Sequence, residues 1–167
     1  MAVLNILTYG HPLLKKKLQP VEVFNPALEK AAQDMIETMM MYDGIGLAAN
    51  QVGIDLQMLV IHEKLIDETK DFLIVINPEL HTAEGSSRRE EGCLSVPNIW
   101  SEVVRPQKIE LSYQNLKGER IRIEAEDLLA RVIQHEKDHL DGVLFVERLP
   151  KIKQTLLIPR LKRIHSE

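Results

Sequence analysis

Residues His135 to His139 read H-E-K-D-H, and this stretch decides how the rest of the fold must be arranged. On a helix, residues four apart return to nearly the same face, so the imidazoles of His135 and His139 can close on one metal ion. Glu136 is displaced by one position and can reach a water molecule beside that ion. The H-E-x-x-H pattern therefore predicts a metal-dependent hydrolase site on a helix.

The flanking residues indicate which way this helix faces. Leu128, Val132, His135 and His139 recur at intervals of four, three and four, so the histidines continue an apolar stripe. The alternative is a surface helix with two solvated histidines. We favour the inward-facing helix, because buried imidazoles beside a carboxylate need polar partners and a metal ion supplies them.

Two histidines leave at least one protein ligand to be found, and known hydrolase classes differ in that ligand. Metzincins place a third histidine shortly after the motif, but Phe145 stands at that position. Thermolysin-like enzymes use a glutamate on a following helix, and residues 157–161 contain none. The missing ligand must come from elsewhere in the chain.

Cys93, the only cysteine, is a candidate for that ligand. Its segment, Glu91–Pro97, contains a glycine and a proline and predicts a shaped loop. A thiolate binds divalent iron or zinc strongly, whereas a lone cysteine is more often a small buried hydrophobic residue. From this segment alone both interpretations remain open.

Three segments together carry a family resemblance. Gly44–Gln51 reads G-I-G-L-A-A-x-Q, Glu91–Pro97 reads E-G-C-L-S-x-P, and Gln134–Gly142 reads Q-H-E-x-D-H-L-x-G. In this order they resemble the three signature motifs of peptide deformylases, and Ile6–Leu14 is similar to the amino-terminal segment of that family. The resemblance covers nearly the whole chain.

The chain departs from the family pattern at three positions. Asn50 stands where proline or threonine is frequent, Asp127 stands where glycine is frequent, and Trp100 stands where some bacterial members have arginine.

The resemblance implies hydrolysis of the N-formyl group of nascent peptides that begin with formylmethionine, with release of formate. It implies that Cys93, His135 and His139 bind one divalent metal ion and leave an open position. That ion is expected to be Fe²⁺ in the cell, with Zn²⁺, Ni²⁺ or Co²⁺ as substitutes in purified protein.

The resemblance also implies roles for the remaining motif residues. Glu136 takes the proton of the attacking water, and the Gln51 side-chain amide and the Leu94 backbone N–H stabilise the negative charge on the formyl oxygen. The expected substrate pocket, in which two glycines close tightly around the formyl group, consists of Ile45, Gly46, Gly92, Leu128 and Val132.

Two alternatives remain open at this level. One is a zinc-dependent peptidase, against which the missing third ligand downstream of His139 already counts. The other is a structural or metal-sensing site of His135, His139 and Cys93, with Glu136 merely solvated. A structural zinc site normally closes with a fourth protein ligand, and no second cysteine exists.

Composition and charge bound the remaining possibilities. The 167 residues fit one domain, residues 1–167, and no apolar run is long enough to cross a bilayer. The amino terminus lacks the pattern of a signal peptide, which leads us to expect a cytoplasmic protein without a membrane partner.

The charge is unevenly distributed along the chain. Residues 147–167 hold six Lys or Arg against two Glu, while the rest holds fifteen basic and twenty-three acidic residues. The acidic body argues against DNA as a partner. The family resemblance suggests weak ribosome contact through the basic tail. Its expected phosphate contacts are Lys151, Lys153, Arg160, Lys162 and Arg163, with an apolar packing face of Leu156, Leu157, Leu161 and Ile164.

The periodicity predicts an α+β fold of one domain, in which a central metal-binding helix packs against short antiparallel strands and a C-terminal helix follows. A first helix should begin at Asn25-Pro26 and end near Gly44, and the metal-binding helix should begin near Glu126. Residues 63–71 should form a surface loop, and Pro159 should kink or shorten a helix over 150–166. Predicted strands are 56–62, 72–77, 108–113 and 120–124, with the last two joined as a hairpin.

Overall fold

The computed structural model describes residues 2–166, with Ser166 described by its backbone alone. Met1 and Glu167, which belong to the predicted 1–167 domain and, for Glu167, to the 147–167 tail, lie outside the described residues. The fold is α+β with antiparallel sheets, as predicted. Its helices are α1 (Pro26–Met41), α2 (Asp127–Leu140) and α3 (Lys151–Ser166). Its strands are β1 (Gly46–Ala48), β2 (Met58–His62), β3 (Phe72–Glu84), β4 (Ser87–Cys93), β5 (Val96–Arg105), β6 (Lys108–Gln114) and β7 (Arg120–Glu126).

The strands form two antiparallel sheets. Five strands lie in the order β1-β2-β3-β6-β7, and β4 and β5 form a separate two-stranded hairpin. The predicted hairpin of β6 and β7 is confirmed, with Tyr113 opposite Ile121. The main hydrophobic core lies between the larger sheet and helices α1 and α2.

Both helix starts are confirmed. The Asn25 side chain accepts a hydrogen bond from the Leu28 N–H at 3.0 Å, and Pro26 occupies the first turn, where its missing N–H costs nothing. Helix α2 begins at Asp127, which has a left-handed backbone with φ of +53°. Aspartate tolerates this conformation better than most residues, and its carboxylate accepts a hydrogen bond from Gln107 at 3.0 Å. Glycine adopts the same conformation without steric cost, so the glycine expected here from the family resemblance would also fit.

The region between residues 78 and 107 differs most from the prediction. The strand predicted over 72–77 continues to Glu84, and β4 and β5 were not predicted at all. Cys93 therefore ends a strand of a hairpin, and the loop predicted over Glu91–Pro97 is reduced to the tight turn of Leu94 and Ser95 that follows it. Four of the seven β4 residues are charged, and three of these are exposed in succession, so β4 lacks the alternation of apolar and polar residues that identifies a strand.

Two smaller regions also depart from the prediction. Residues 63–71 lie at the surface as predicted, but they begin with a short 3-10 turn, Glu63–Leu65. Strand β1 was missed because it spans only three residues inside a segment rich in small residues.

Helix α3 continues through Pro159, so this proline does not shorten it. Leu161 is buried, and Leu157 and Ile164 pack with it against a second core formed largely by the β5 strand and residues 144–149. Leu156 was predicted on this packed face but is 72% exposed. The three packed residues follow a four-three spacing, and Leu156 lies one position away from that stripe.

None of the described helices combines the length and the apolar composition that a membrane span requires.

We expect the burial of α2 to dominate the stability of the site. Ile133 is fully buried on α2 within the main core, so Ile133→Ala should lower the free energy of unfolding by about 2–5 kcal/mol through lost burial and a residual cavity. Leu156→Ala removes a similar side chain from the surface and should change it by less than about 0.5 kcal/mol. Urea denaturation measures both. Equal losses in the two variants would contradict this packing of α2.

Candidate metal centre and catalytic site

Cys93, His135 and His139 converge at one point. Their potential ligand atoms all lie within 4.8 Å of one another, and Cys93 Sγ lies 3.3 Å from His139 Nε2. The histidines come from consecutive turns of α2, and the cysteine comes from the end of β4. Both imidazoles are buried, which agrees with the inward-facing stripe and excludes a solvated pair.

The donor set fits a divalent transition metal ion. One thiol and two imidazoles suit iron or zinc, and three protein ligands beside a cavity leave a coordination position open. Glu136 Oε1, next to these donors in sequence, is buried without a hydrogen-bond partner in the described residues. A buried carboxylate oxygen without a partner is costly, so the site is built to hold a further polar group.

The electrostatics of the site also favour a positive charge. Burial alone would lower the pKa of His135, but Glu136, Cys93 and Glu91 together raise it well above its usual value. Burial and the charge of His135 lower the pKa of His139. The protein thus stabilises one positive charge among these side chains, and a bound cation would meet the same anionic surroundings.

Glu91 holds His135 in place from behind. Its Oε1 lies 2.8 Å from His135 Nδ1, an arrangement that leaves Nε2 directed toward the ligand cluster. Arg105 donates to both carboxylate oxygens, at 2.6 and 3.0 Å, and Arg131 donates a further bond. Burial would raise the pKa of Glu91, but the hydrogen bonds from His135 and Arg105 hold it at about 2. Glu91 is therefore a buried carboxylate anion.

Arg105 extends this network to the metal-binding helix. Its Nη1 donates to Asp138 Oδ2 at 3.0 Å, and Arg148 donates to the same carboxylate at 2.7 and 3.0 Å. Glu91 and Asp138 both lie inside the motif segments, but no role was predicted for either. One signal was available, because Glu91 lies two residues before Cys93 and would share its face of an extended strand.

The side chain of Glu136 packs against Gly46, which has no side chain of its own. Glu136 is 5% exposed, and its Oε2 lies 3.9 Å from His135 Nε2. A Cβ atom on Gly46 would lie 2.9 Å from Glu136 Cγ and Oε2, so only glycine permits this approach. Burial raises the pKa of Glu136 to about 7, against the opposing effect of the nearby His135 charge. The solvated glutamate of the structural alternative is excluded.

Gln51 approaches the cluster from the first motif segment, Gly44–Gln51. It lies in the short 3-10 turn that follows β1, and its Oε1 accepts a hydrogen bond from the Ala48 N–H at 2.9 Å. Its Nε2 donates to Ser95 Oγ at 3.0 Å and lies 3.5 Å from Cys93 Sγ. The amide donor is therefore fixed beside the candidate metal ligands.

Asn50, which departs from the family pattern, ties this turn to α2. Its Nδ2 donates to the His139 carbonyl at 2.7 Å. The turn that bears Gln51 and the end of the metal-binding helix are thereby linked directly.

A cavity of about 510 Å³ joins these groups. Of the residues predicted for the site, all but His139 line this cavity, and His139 is buried beside Cys93. The predicted metal ligands, catalytic groups and pocket residues in the lining are Cys93, His135, Glu136, Gln51, Leu94, Ile45, Gly46, Gly92, Leu128 and Val132.

Removing the charge of Glu91 should weaken both the fold and metal binding. Glu91→Gln leaves Arg105 and Arg131 buried with less compensation, and the free energy of unfolding should fall by about 3 kcal/mol. Metal affinity should fall about 10–100-fold, because His135 loses its orienting carboxylate. Urea denaturation and metal-competition titration measure these effects, with Glu84→Gln as the exposed control. Unchanged metal affinity in Glu91→Gln would contradict the orienting role.

Comparison with known proteins gives a consistent result. A family model described as Polypeptide deformylase matches residues 3–155. The peptide deformylase of Bartonella henselae is 46% identical over 157 residues, which is 93% of this chain and 89% of that protein. That of Wolinella succinogenes is 43% identical and covers 96% of both chains.

Solved structures agree in fold as well as in sequence. The peptide deformylase of Thermus thermophilus superposes with a TM-score of 0.91, at 40% identity and 98% coverage of both chains. The Synechococcus elongatus peptide deformylase, solved in complex with actinonin, gives a TM-score of 0.87 at 40% identity, over 94% of this chain and 86% of that one. The match thus extends along nearly the whole chain, and this chain belongs to the peptide deformylase family, metal-dependent hydrolases that remove the N-formyl group from nascent peptides.

Proposed function

We propose that the deformylase reaction takes place where Cys93, His135 and His139 converge, and that these three side chains hold one divalent metal ion. The observation that carries this proposal is the 4.8 Å grouping of their ligand atoms beside the cavity. When bound, such an ion supplies Lewis acidity toward the formyl oxygen and toward water. The products are formate and the free amino group of the peptide.

Glu136 moves the proton in this proposal. It accepts the proton of the attacking water and returns it to the leaving amine nitrogen, so it acts first as base and then as acid. Its support is position: Glu136 lines the cavity, is almost fully buried, and its Oε2 lies 3.9 Å from His135 Nε2.

Gln51 and Leu94 stabilise the negative charge that develops on the formyl oxygen. The Gln51 amide is held by Ala48 with its Nε2 beside Cys93, and Leu94 follows Cys93 directly in the chain. Donors that are already positioned lose no energy in reorganising during the reaction.

The apolar part of the cavity is proposed to take the methionine side chain. Ile45, Leu128 and Val132 line it, and the last two lie on the same helix as the metal ligands. Glu136 packs closely against Gly46 and Trp100 against Gly92 in the cavity lining, and this close packing is proposed to favour the small formyl group over bulkier acyl groups.

The direct test is formate release from formyl-Met-Ala-Ser by anaerobically purified protein loaded with Fe²⁺. Glu136→Gln keeps the size of the side chain but removes its basicity, so metal should be retained while kcat falls at least about 100-fold. Glu68→Gln, at the exposed surface, is the control. A Glu136→Gln variant that binds metal and turns over near the wild-type rate would remove Glu136 from the mechanism.

Loss of one oxyanion donor should affect chemistry more than binding. Gln51→Ala should lower kcat by about 100-fold while the metal content stays unchanged. Steady-state kinetics with formyl-Met-Ala-Ser and metal analysis measure the two quantities. A change confined to KM would contradict the proposed role.

We propose Fe²⁺ as the ion in the cell, with Zn²⁺, Ni²⁺ and Co²⁺ as substitutes in purified protein. The support is the donor set, since thiolate and imidazole ligands suit these ions. A thiolate-bound Fe²⁺ with an open position is sensitive to oxygen, so the activity of the Fe²⁺ form should decay in air faster than that of the Ni²⁺ form. Timed assays in air and under nitrogen measure this difference, and equal decay would contradict it.

We further propose that residues 1–167 act as one catalytic domain in the cytoplasm, where nascent chains are formed, with DNA and membranes excluded as partners.

The tail over 147–167 is proposed to contact the ribosome weakly. In support, Lys151, Lys153 and Lys162 are exposed on α3, while Arg160 donates to the Asn98 carbonyl. Lys153→Glu with Lys162→Glu should reduce ribosome co-sedimentation at low salt and leave the hydrolysis of short peptides unchanged. Unchanged ribosome co-sedimentation in this double variant would contradict the proposed contact and leave the tail with a structural role only.

A further inference from the structure

We propose that Trp100 is a specificity-determining residue, which together with Glu90 favours peptides that carry a basic side chain downstream of the formylated residue. This inference rests on the proposed function, because it assumes that the formyl group lies at the Cys93, His135 and His139 cluster. We call Trp100, Glu90 and Glu102 the Trp100 platform.

The position of Trp100 in the cavity is the first support. The same cavity is lined by His135 and Glu136 at its buried end and by Trp100, which is 65% exposed, at its open end. With the formyl group at the metal ligands, the rest of the peptide must leave through the open end. It therefore passes the hairpin of β4 and β5, whose Glu90, Gly92 and Trp100 line this side.

The indole ring of Trp100 packs against Gly92, which has no side chain. Strand β4 is antiparallel to β5, and a Cβ atom on Gly92 would overlap two ring carbons of Trp100. The ring thus packs directly over the Gly92 backbone, while much of its surface stays open to solvent. A large aromatic surface fixed at a cavity mouth loses little conformational entropy when a peptide side chain packs on it.

The charges beside the indole select the kind of side chain. Glu90 and Glu102 are cross-strand partners, both are exposed, and each lies two residues from Gly92 or Trp100. Residues two apart share a face of a strand, so both carboxylates lie on the indole side of the hairpin. Like charges directly opposite each other are unfavourable, and a cation between them relieves that repulsion.

Nearby arginines do not neutralise this pair. Among the described residues, no ion pair joins Glu90 or Glu102 to a basic side chain. Arg88 lies on the same face, two residues from Glu90 and opposite Val104, and like Glu102 it is outside the cavity lining, so Glu90 is the charge of this face that lines the cavity with Trp100. Arg89 lines the cavity but belongs to the other face of β4 by alternation. An aromatic face beside two carboxylates is suited to a guanidinium or ammonium group.

The test compares formyl-Met-Ala-X and formyl-Met-X-Ser peptides, with X as Arg, Leu or Glu, on the Fe²⁺-loaded enzyme. At the position that reaches the platform, kcat/KM should be about 5–10-fold higher for Arg than for Leu, and lowest for Glu. Raising the salt concentration should reduce the difference between Arg and Glu, because the carboxylates are exposed.

Variants separate the indole from the charge. Trp100→Ala should bring the Arg-to-Leu ratio close to one, Trp100→Phe should keep part of it, and Glu90→Gln should lower the Arg-to-Glu ratio. Val104→Ala lies on the same strand outside the cavity and should keep the wild-type ratios. Equal kcat/KM for all peptides, or a preference for Leu or Glu, would overturn the inference while the proposed function stands. No formate from any peptide would overturn the proposed function itself.

A second measurement requires no variant of the platform. Trp100 is the only tryptophan in the chain, so fluorescence excited where tryptophan absorbs and tyrosine does not reports on it alone. Titration of the Glu136→Gln protein with formyl-Met-Ala-Arg and with formyl-Met-Arg-Ser should change the emission of Trp100. For at least one of these two peptides, the change should occur at a lower concentration than with the same peptide carrying Glu in place of Arg. Emission that is indifferent to all these peptides would also overturn the inference.

Discussion

The buried carboxylate of Glu91 is the interaction on which the site depends. It accepts from Arg105 and Arg131 and holds His135 Nδ1 at 2.8 Å, so one anion connects the hairpin of β4 and β5 to the metal-binding helix. A buried charge is tolerated only when it is well paired, and truncation of one partner leaves the others uncompensated. The geometry of His135 and the docking of the hairpin are therefore linked.

This linkage explains how a cysteine far away in sequence reaches two histidines on α2. The five-stranded sheet buries α2 through apolar contacts such as Ile133, and it fixes where the helix lies. The hairpin is a separate two-stranded sheet, and Arg105 secures it by bridging Glu91 to Asp138 on α2. Hydrophobic burial thus positions the helix, while paired charges position Cys93 against it.

The helix and two of its ligands were predictable because their signals are local. The spacing of His135 and His139 and the stripe through Val132 depend only on helix periodicity. Cys93 was ambiguous from its own segment, and family resemblance assigned it as a ligand. The roles of Glu91 and Arg105 depend on contacts between distant segments, which periodicity does not report. Strand β4 was missed for a related reason: four of its seven residues are charged and none of it alternates between apolar and polar, so the pairing that defines it comes from β5 and not from a pattern of its own. Leu156 was assigned to the packed face of α3 from its apolar character, which alone does not fix the buried face of a helix.

The central claim is that Cys93, His135 and His139, from two distant segments, hold a single ion. X-ray absorption spectroscopy of the protein loaded with one equivalent of Fe²⁺ under nitrogen tests it directly. The account predicts one sulfur and two imidazole ligands in the first coordination shell, with the sulfur contribution lost in Cys93→Ala. A wild-type spectrum with only nitrogen and oxygen ligands would contradict it.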